Sequence, residues 1–476
     1  MKLKVSLNDM KYRYDVYQIL NIYYNFYDII FDNEDYDIDI QITDEGMHIK
    51  KEQNEVKYDK DDNLAKKEWV KKFLFLYLKS ITNKNMPWGT LVGIRPSKIA
   101  LELMNQGMIE EEIIDWFTKH RNTRTDKTKL CIDVANMEKS IVNKDQNTIS
   151  VYIDMPFCPT RCLYCSFTSN PIGKCKNLVE PYLKALYYEI DMIASYIESK
   201  NLKIQCVYFG GGTPTSISNE QFERTLNKIY HNFIHNKQVE EFTVECGRPD
   251  SITEEKLLSM KKCNVDRISI NPQTMNNSTL KNIGRTHSVE DIEKIYLLAK
   301  KIGFKNINMD LIVGLPGEGI KEVKNTCERI KKLRPDNLTV HGMSIKRGSI
   351  IHEKLVNKME FNIPKQEELN KMYEETENLA KELNMKPYYM YRQKNMLGNM
   401  ENVGYSKEDK MGIYNIQMIE ERQTIIALGA DAVSKIIFMN ENRIERAANV
   451  KDVIEYTKRV EEMVDRKKKI LDTLYL

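Results

Sequence analysis

Apolar and polar positions divide the chain into stretches of different rhythm. Between residues 148 and 344, short apolar runs alternate with amphipathic helical patterns. The runs are residues 150–155, 205–209, 241–245, 266–271, 306–313 and 337–344; the helical patterns are 180–197, 220–233, 254–262, 289–302 and 321–333. Strand and helix repeating in this way predict an α/β fold with a parallel sheet. Six units are too few to close an eight-stranded barrel, so the expectation is an open, partial (β/α)6 barrel with its site at the C-terminal strand ends.

The flanks differ. Residues 1–145 predict a small α/β module: a strand over 2–7, a tyrosine-rich helix over 12–27, alternating strands near 36–42 and 47–51, and a long helix over 64–84. Residues 87–98 read as a loop entering a helix, with Ser97 as its cap. Arg95 and Lys98 could meet an anion there, although a solvated face is the plainer reading. The charged stretch 119–129 reads as a helix end and linker. After residue 345 the rhythm is less regular: a helix over 365–383, a tyrosine-rich segment from Tyr388 to Asn395, Gly404-Tyr405, a small-residue run from Thr424 to Ala432 that could floor a pocket, and a charged helix over 450–469. At 476 residues the chain exceeds one ordinary core, and the expected units are 1–145, 146–360 and 361–476.

Chemistry enters at Cys158, Cys162 and Cys165, a CxxxCxxC pattern directly after an apolar strand. Three thiolates on a short loop can hold three irons of a [4Fe–4S] cube and leave the fourth iron open to a small molecule. A zinc site is an alternative; no histidine lies between His120 and His231, but Cys175 could supply a fourth ligand. A Cys162/Cys165 redox pair is another. Further polar residues stand at strand ends, where βα loops carry function. Gly210-Gly211-Gly212-Thr213 follows the second run, and its glycines let backbone approach a ligand closely. Glu245 ends the third run, Asn271 and Gln273 follow the fourth, and Asp310 lies in the fifth. A charged Asp inside an apolar strand needs a partner or a ligand. Singly such residues are more often structural; on one rim they form a pocket.

Composition narrows the setting. The 72 basic and 69 acidic residues nearly cancel, so charge argues for no special attraction to nucleic acid or membrane. Nine cysteines, three of them on one loop, suit a reducing compartment better than a disulfide scaffold. No signal-like start and no spanning run of about 18 apolar residues is present, and the expected location is cytoplasmic.

The cysteine loop, Gly210 to Thr215, Val244-Glu245, the stretch 268–273, Gly284-Arg285 and the stretch 310–317 together resemble the radical S-adenosylmethionine (SAM) enzymes, and among them the oxygen-independent coproporphyrinogen III oxidase family. The N-terminal unit with Gly93-Ile94-Arg95-Pro96 and the segment Tyr388 to Asn395 resemble its HemZ-type branch, the coproporphyrinogen dehydrogenases. The resemblance implies a radical SAM oxidoreductase of porphyrin and haem biosynthesis. Such an enzyme converts propionates of coproporphyrinogen III to vinyl groups, giving protoporphyrinogen IX. A [4Fe–4S] cluster and SAM are its cofactors, and flavodoxin or ferredoxin its electron donor. The resemblance further implies that Cys158, Cys162 and Cys165 ligate the cluster, and that Gly210, Gly211, Gly212 and Thr213 lie at the methionyl amino group. Arg285 would pair with the SAM carboxylate, and Glu245, Gln273 and Asp310 would surround the ribose. Tyr152 would be the catalytic candidate near cluster and substrate, residues 361–476 an α+β cap, and Arg392 and Lys394 partners for the propionates. Two positions depart from the pattern: Asp154 stands where the oxidases have a histidine, and Phe167 where they have a fourth cysteine. Both sit beside the substrate, and haem chaperones and haem methyltransferases of the same superfamily are the alternatives.

Overall fold

The computed structural model describes every residue except 1, 25–27, 168–169, 358, 360 and 476. Its centre is the expected repetition. The strands Thr148–Met155, Lys203–Gly211, Glu241–Gly247, Arg267–Ile270, Ile307–Val313 and Asn337–Gly342 pair in parallel, each with its chain neighbour. The helices Ile172–Ser199, Asn219–Ile229, Glu254–Lys262, Val289–Ile302 and Ile320–Leu333 connect them. Local chemistry sets several of these helix starts. Ser218, Thr253 and Ser288 each accept a backbone N–H of the first turn, which satisfies donors that the helix itself cannot. Gly303, at φ 101°, ends the Val289–Ile302 helix in the left-handed region, where glycine costs least.

The sheet continues past six strands on both sides. Thr424–Leu428 pairs in parallel with the first strand, and Val433–Phe438 and Arg443–Ala448 follow antiparallel. On the far edge, Asn402–Ser406 and then Lys386–Tyr391 add antiparallel to the sixth. The result is one eleven-stranded open sheet. The run from Thr424 to Ala432, expected to floor a pocket, is therefore mostly a buried strand of the sheet itself; its five apolar-rich residues suit a strand covered on both faces.

The N-terminal residues form a five-stranded sheet, in the order Asp28–Phe31, Lys2–Leu7, Ile38–Ile42, Gly46–Lys51, Asn54–Asp59. The helices Arg13–Tyr23 and Lys66–Thr82 pack with it; residues 25–27 of the expected 12–27 helix lie outside the described residues. Buried side chains from Leu3 to Met86 share one apolar cluster, whereas most of those from Trp88 onward join the cluster of the large sheet.

Three local expectations are corrected. The helix Pro96–Asn105 opens on its proline with Arg95 at the cap position, so Ser97 lies buried in the first turn and caps nothing; proline's fixed φ suits it to open a helix. Arg95 meets the carbonyl of Ile419 and pairs with Glu421 at 3.2 Å, so protein groups already hold its guanidinium. The stretch 119–129 is no linker, since Glu110–Arg121 and Thr125–Glu138 are both helices and only a tight turn through Asn122, at φ 53°, separates them.

Candidate active site

The cysteine loop begins where the first strand ends and is pinned to the rims of two others. Leu163 N–H donates to Ile283 O at 3.0 Å and Ile351 N–H to Leu163 O at 3.1 Å. Thr160 Oγ1 donates to Gly284 O at 2.7 Å, and Arg161 Nη2 to Gly348 O at 2.7 Å. The loops after the first, fourth and sixth strands thus form one surface. Cys158 and Cys162 are buried there and Cys165 half-buried, all as free thiols. Burial pushes the Cys158 thiol up to about 12 and raises that of Cys165, so neither is a ready nucleophile; coordination to a metal would remove the proton. A zinc site needs four ligands on one ion, and the loop itself carries three. A cube gives each thiolate its own iron.

The glycine run supplies a cradle against this loop. A Cβ on Gly212 would stand 2.8 Å from Cys158 Sγ and 2.7 Å from Phe157 O, so a larger residue would displace the ligand loop. Gly211, at φ 108°, lies where a Cβ would meet Asp154 Oδ1 at 2.6 Å. Thr213 Oγ1 donates to Cys158 Sγ at 3.5 Å. Nearby polar groups lack protein partners: Arg285 donates to Asn271 O at 2.5 Å and Tyr164 Oη at 3.2 Å, yet its buried Nε is unpaired, as is Oε1 of the buried Gln273. Gln273 is held at φ 68°, a conformation rare outside glycine and asparagine. Buried donors and acceptors left open beside three thiols fit a cluster with a zwitterionic, hydroxyl-bearing ligand.

Behind the rim, polar side chains line one face of the sheet. Tyr208 Oη donates to Glu245 Oε2 at 2.9 Å; burial, and then the charge of Asp310, push Glu245 up to about 7. Burial works to raise Asp310 as well, but its contacts with His341 and Asn308 win and hold it below the usual range. His341 Nε2 stands 3.6 Å from Asp310 Oδ2, and its Nδ1 stands 3.3 Å from Tyr391 Oη. The rings of Tyr152, Tyr208 and Tyr414 stack together. At the two departing positions, Asp154 accepts from Tyr152 Oη at 3.0 Å and burial raises it to about 8, while Phe167 is 67% exposed with Lys346 Nζ 5.5 Å above its ring.

The rim residues singled out from the sequence are thus brought together, but neither substrate candidate, Arg392 nor Lys394, joins them. Arg392 does not face this space. It is buried, stacked 4.6 Å over Trp88, and its fork donates to the carbonyls of Leu91, Asn399 and Met400. Lys394 is exposed and meets Tyr14. Residues that the sequence reading passed over are Arg248, Asp250, His287, His341, Tyr208 and Lys346. Arg248 Nη1 donates to Cys162 Sγ at 3.6 Å and to Thr160 Oγ1 at 3.0 Å, while Asp250 also accepts from Thr286 at 2.7 Å and lies 3.3 Å from His287 Nδ1. Burial opposes ionisation of Asp250, but its bonds to His287 and Arg248 hold it well below the carboxylate range. The signal was available: Arg248-Pro249-Asp250 directly follows the third strand.

Comparison with known proteins agrees with this geometry. The model of the Radical SAM superfamily matches residues 152–330. The oxygen-independent coproporphyrinogen-III oxidase-like protein HemZ of Bacillus subtilis (strain 168) is 37% identical over 497 residues, covering 100% of this chain and 99% of that protein. The heme chaperone HemW of the same strain is 33% identical over 225 residues, covering 47% of this chain and 58% of that protein. Among solved structures, coproporphyrinogen III oxidase (HemN) from Escherichia coli shares the fold, with a TM-score of 0.54 at 22% identity over 69% of this chain and 73% of that one. With the cysteine loop, the glycine cradle and full-length likeness in agreement, the chain belongs to the radical SAM superfamily, in the family of the coproporphyrinogen-III oxidase-like protein HemZ, with a [4Fe–4S] cluster and SAM as its cofactors.

Proposed function

We propose that this protein oxidatively decarboxylates propionate side chains of coproporphyrinogen III to vinyl groups, giving protoporphyrinogen IX. The observation that supports this most is likeness to the HemZ protein along the entire chain at 37% identity, where the likeness to the heme chaperone HemW of the same strain covers 47% of it. When bound, the reduced cluster and SAM would supply a 5′-deoxyadenosyl radical able to take a hydrogen from the propionate, and passage of one electron to an external acceptor with release of CO₂ would leave the vinyl group.

The chain's own residues orient and protect. In this reading Cys158, Cys162 and Cys165 hold the cluster and Gly210 to Thr213 admit the methionyl group. Arg285 pairs with the SAM carboxylate through a fork matched to it, and Glu245, Gln273 and Asp310 take the ribose and its surroundings. Tyr152 and Asp154 face the substrate as a hydrogen-bonded pair. Burial raises Asp154 to about 8, which favours a retained, transferable proton where the oxidases have a histidine. With Arg392 committed to the core, Lys346 and Arg161 are the cations at the rim for propionates. Residues 146–360 carry the cofactors, 361–476 cover the substrate and 1–145 are accessory. An acidic flavodoxin- or ferredoxin-type donor supplies the electron. No described helix is long and apolar enough to cross a membrane, and nine free cysteines favour the cytoplasm.

An anaerobic assay with SAM, dithionite, an electron acceptor and coproporphyrinogen III tests the proposal. One vinyl group and one CO₂ are expected per 5′-deoxyadenosine, and Tyr152→Phe should lower vinyl formation while leaving cluster and SAM binding intact. A haem chaperone is the second reading, supported by the likeness to the heme chaperone HemW of Bacillus subtilis; tight haem binding with unaltered coproporphyrinogen III would establish it, and a mass gain on haem would indicate methyl transfer.

A further inference from the structure

We propose that Arg248, clamped by Asp250, donates a charge-assisted hydrogen bond to the Cys162 thiolate and thereby raises the reduction potential of the cluster, which makes Arg248 a positioning and tuning residue of electron entry. The proposal rests on the assignment of the cluster to Cys158, Cys162 and Cys165. Its basis is the way the guanidinium is divided. Asp250 takes one edge, accepting from Nε at 3.0 Å and Nη2 at 2.8 Å. That bidentate fork fixes the plane and leaves Nη1 aimed at Cys162 Sγ, 3.6 Å away, and at Thr160 Oγ1, 3.0 Å away. A salt bridge needed only for folding would not direct its free arm onto a ligand sulfur.

Asp250 is itself anchored on the far side by the hydroxyl of Thr286 at 2.7 Å, the residue directly after Arg285, and His287 Nδ1 lies 3.3 Å from it. Thr160 relays the contact by donating to Gly284 O at 2.7 Å. Arg248 and Arg285, 3% and 7% exposed, are therefore joined through the half-buried Thr160 and the more exposed Asp250 and Thr286, a path from a cluster ligand to the residue assigned to the SAM carboxylate. A hydrogen bond and a positive charge at a ligand sulfur stabilise the more negative, reduced cluster, because burial leaves little solvent to screen them. A rim held rigid also spares reorganisation when the electron arrives.

The test is an EPR-monitored redox titration of the reconstituted full-length protein, with iron content measured alongside. Wild-type protein without a reducible [4Fe–4S] signal would remove the cluster assignment itself. With that signal present, Arg248→Met should retain about four irons but show a reduction equilibrium about tenfold less favourable, a midpoint about 59 mV lower. A wild-type midpoint in a fully loaded Arg248→Met protein overturns the proposal. Should that variant fail to load iron, Arg248→Lys decides, since it keeps the charge and loses the fork: a smaller downward shift supports tuning, whereas an unchanged midpoint or an equal failure to load iron assigns Arg248 to scaffolding alone.

Discussion

The hydroxyl of Tyr152 donates to Oδ1 of Asp154 at 3.0 Å, on a strand whose next loop carries all three candidate cluster ligands. Burial raises Asp154 from its ordinary 3.8 to about 8. Between those values the folded protein holds a proton that the unfolded chain has released. The stability this contributes is complete below about pH 4 and is lost as pH rises towards 8. In the apoprotein, Asp154→Asn should remove that dependence, so that its stability relative to wild type climbs by about 1.4 kcal/mol per pH unit between pH 5 and 7. Denaturation curves at pH 5, 6 and 7 give the answer, and parallel behaviour of the two proteins would show that the carboxyl is already ionised.

Cys158→Ala, Cys162→Ala and Cys165→Ala should each take anaerobically reconstituted protein from about four irons per chain to below one, since a methyl group cannot replace a thiolate. Cys175→Ala should keep full iron, because Cys175 belongs to the helix Ile172–Ser199 and packs against its apolar core. Iron and sulfide analysis with the visible absorption of the cluster measures both; wild-type protein with one zinc and no iron would refute the ligand set.

Removing the guanidinium of Arg285 should weaken SAM binding by about 2–5 kcal/mol while leaving iron content at the wild-type level. Calorimetric titration with SAM under anaerobic conditions is the measurement. Unaltered affinity in Arg285→Ala would mean that its two existing contacts, with Asn271 O and Tyr164, are its whole role.

Arg392→Ala and Lys346→Ala should part company. The first loses three carbonyl bonds and the Trp88 stack and should destabilise the fold by about 3–5 kcal/mol. The second should leave stability within about 0.5 kcal/mol and raise KM for the tetrapyrrole. Thermal unfolding and steady-state kinetics separate them, and the reverse pattern would return Arg392 to the substrate.

The alternation of apolar runs and helical patterns, and the CxxxCxxC loop after one of them, were determined by the sequence alone. Each is written in neighbouring residues: a βα unit follows from local periodicity, and the glycines and acids at strand ends keep their place whatever the rest of the chain does. Arg392 and Arg248 could not be read that way. One lies in a tyrosine-rich segment that looks exposed, yet it closes over Trp88, which is 304 positions earlier, because the loop before residue 96 packs there. The other faces a thiol 86 residues away, across the gap between the first and third strands. The tertiary structure also decided that Thr424–Leu428 and Lys386–Tyr391 extend opposite edges of one sheet, since strand partners far apart in the chain are chosen by which edges remain open and which faces must be covered, and no window of sequence contains that information.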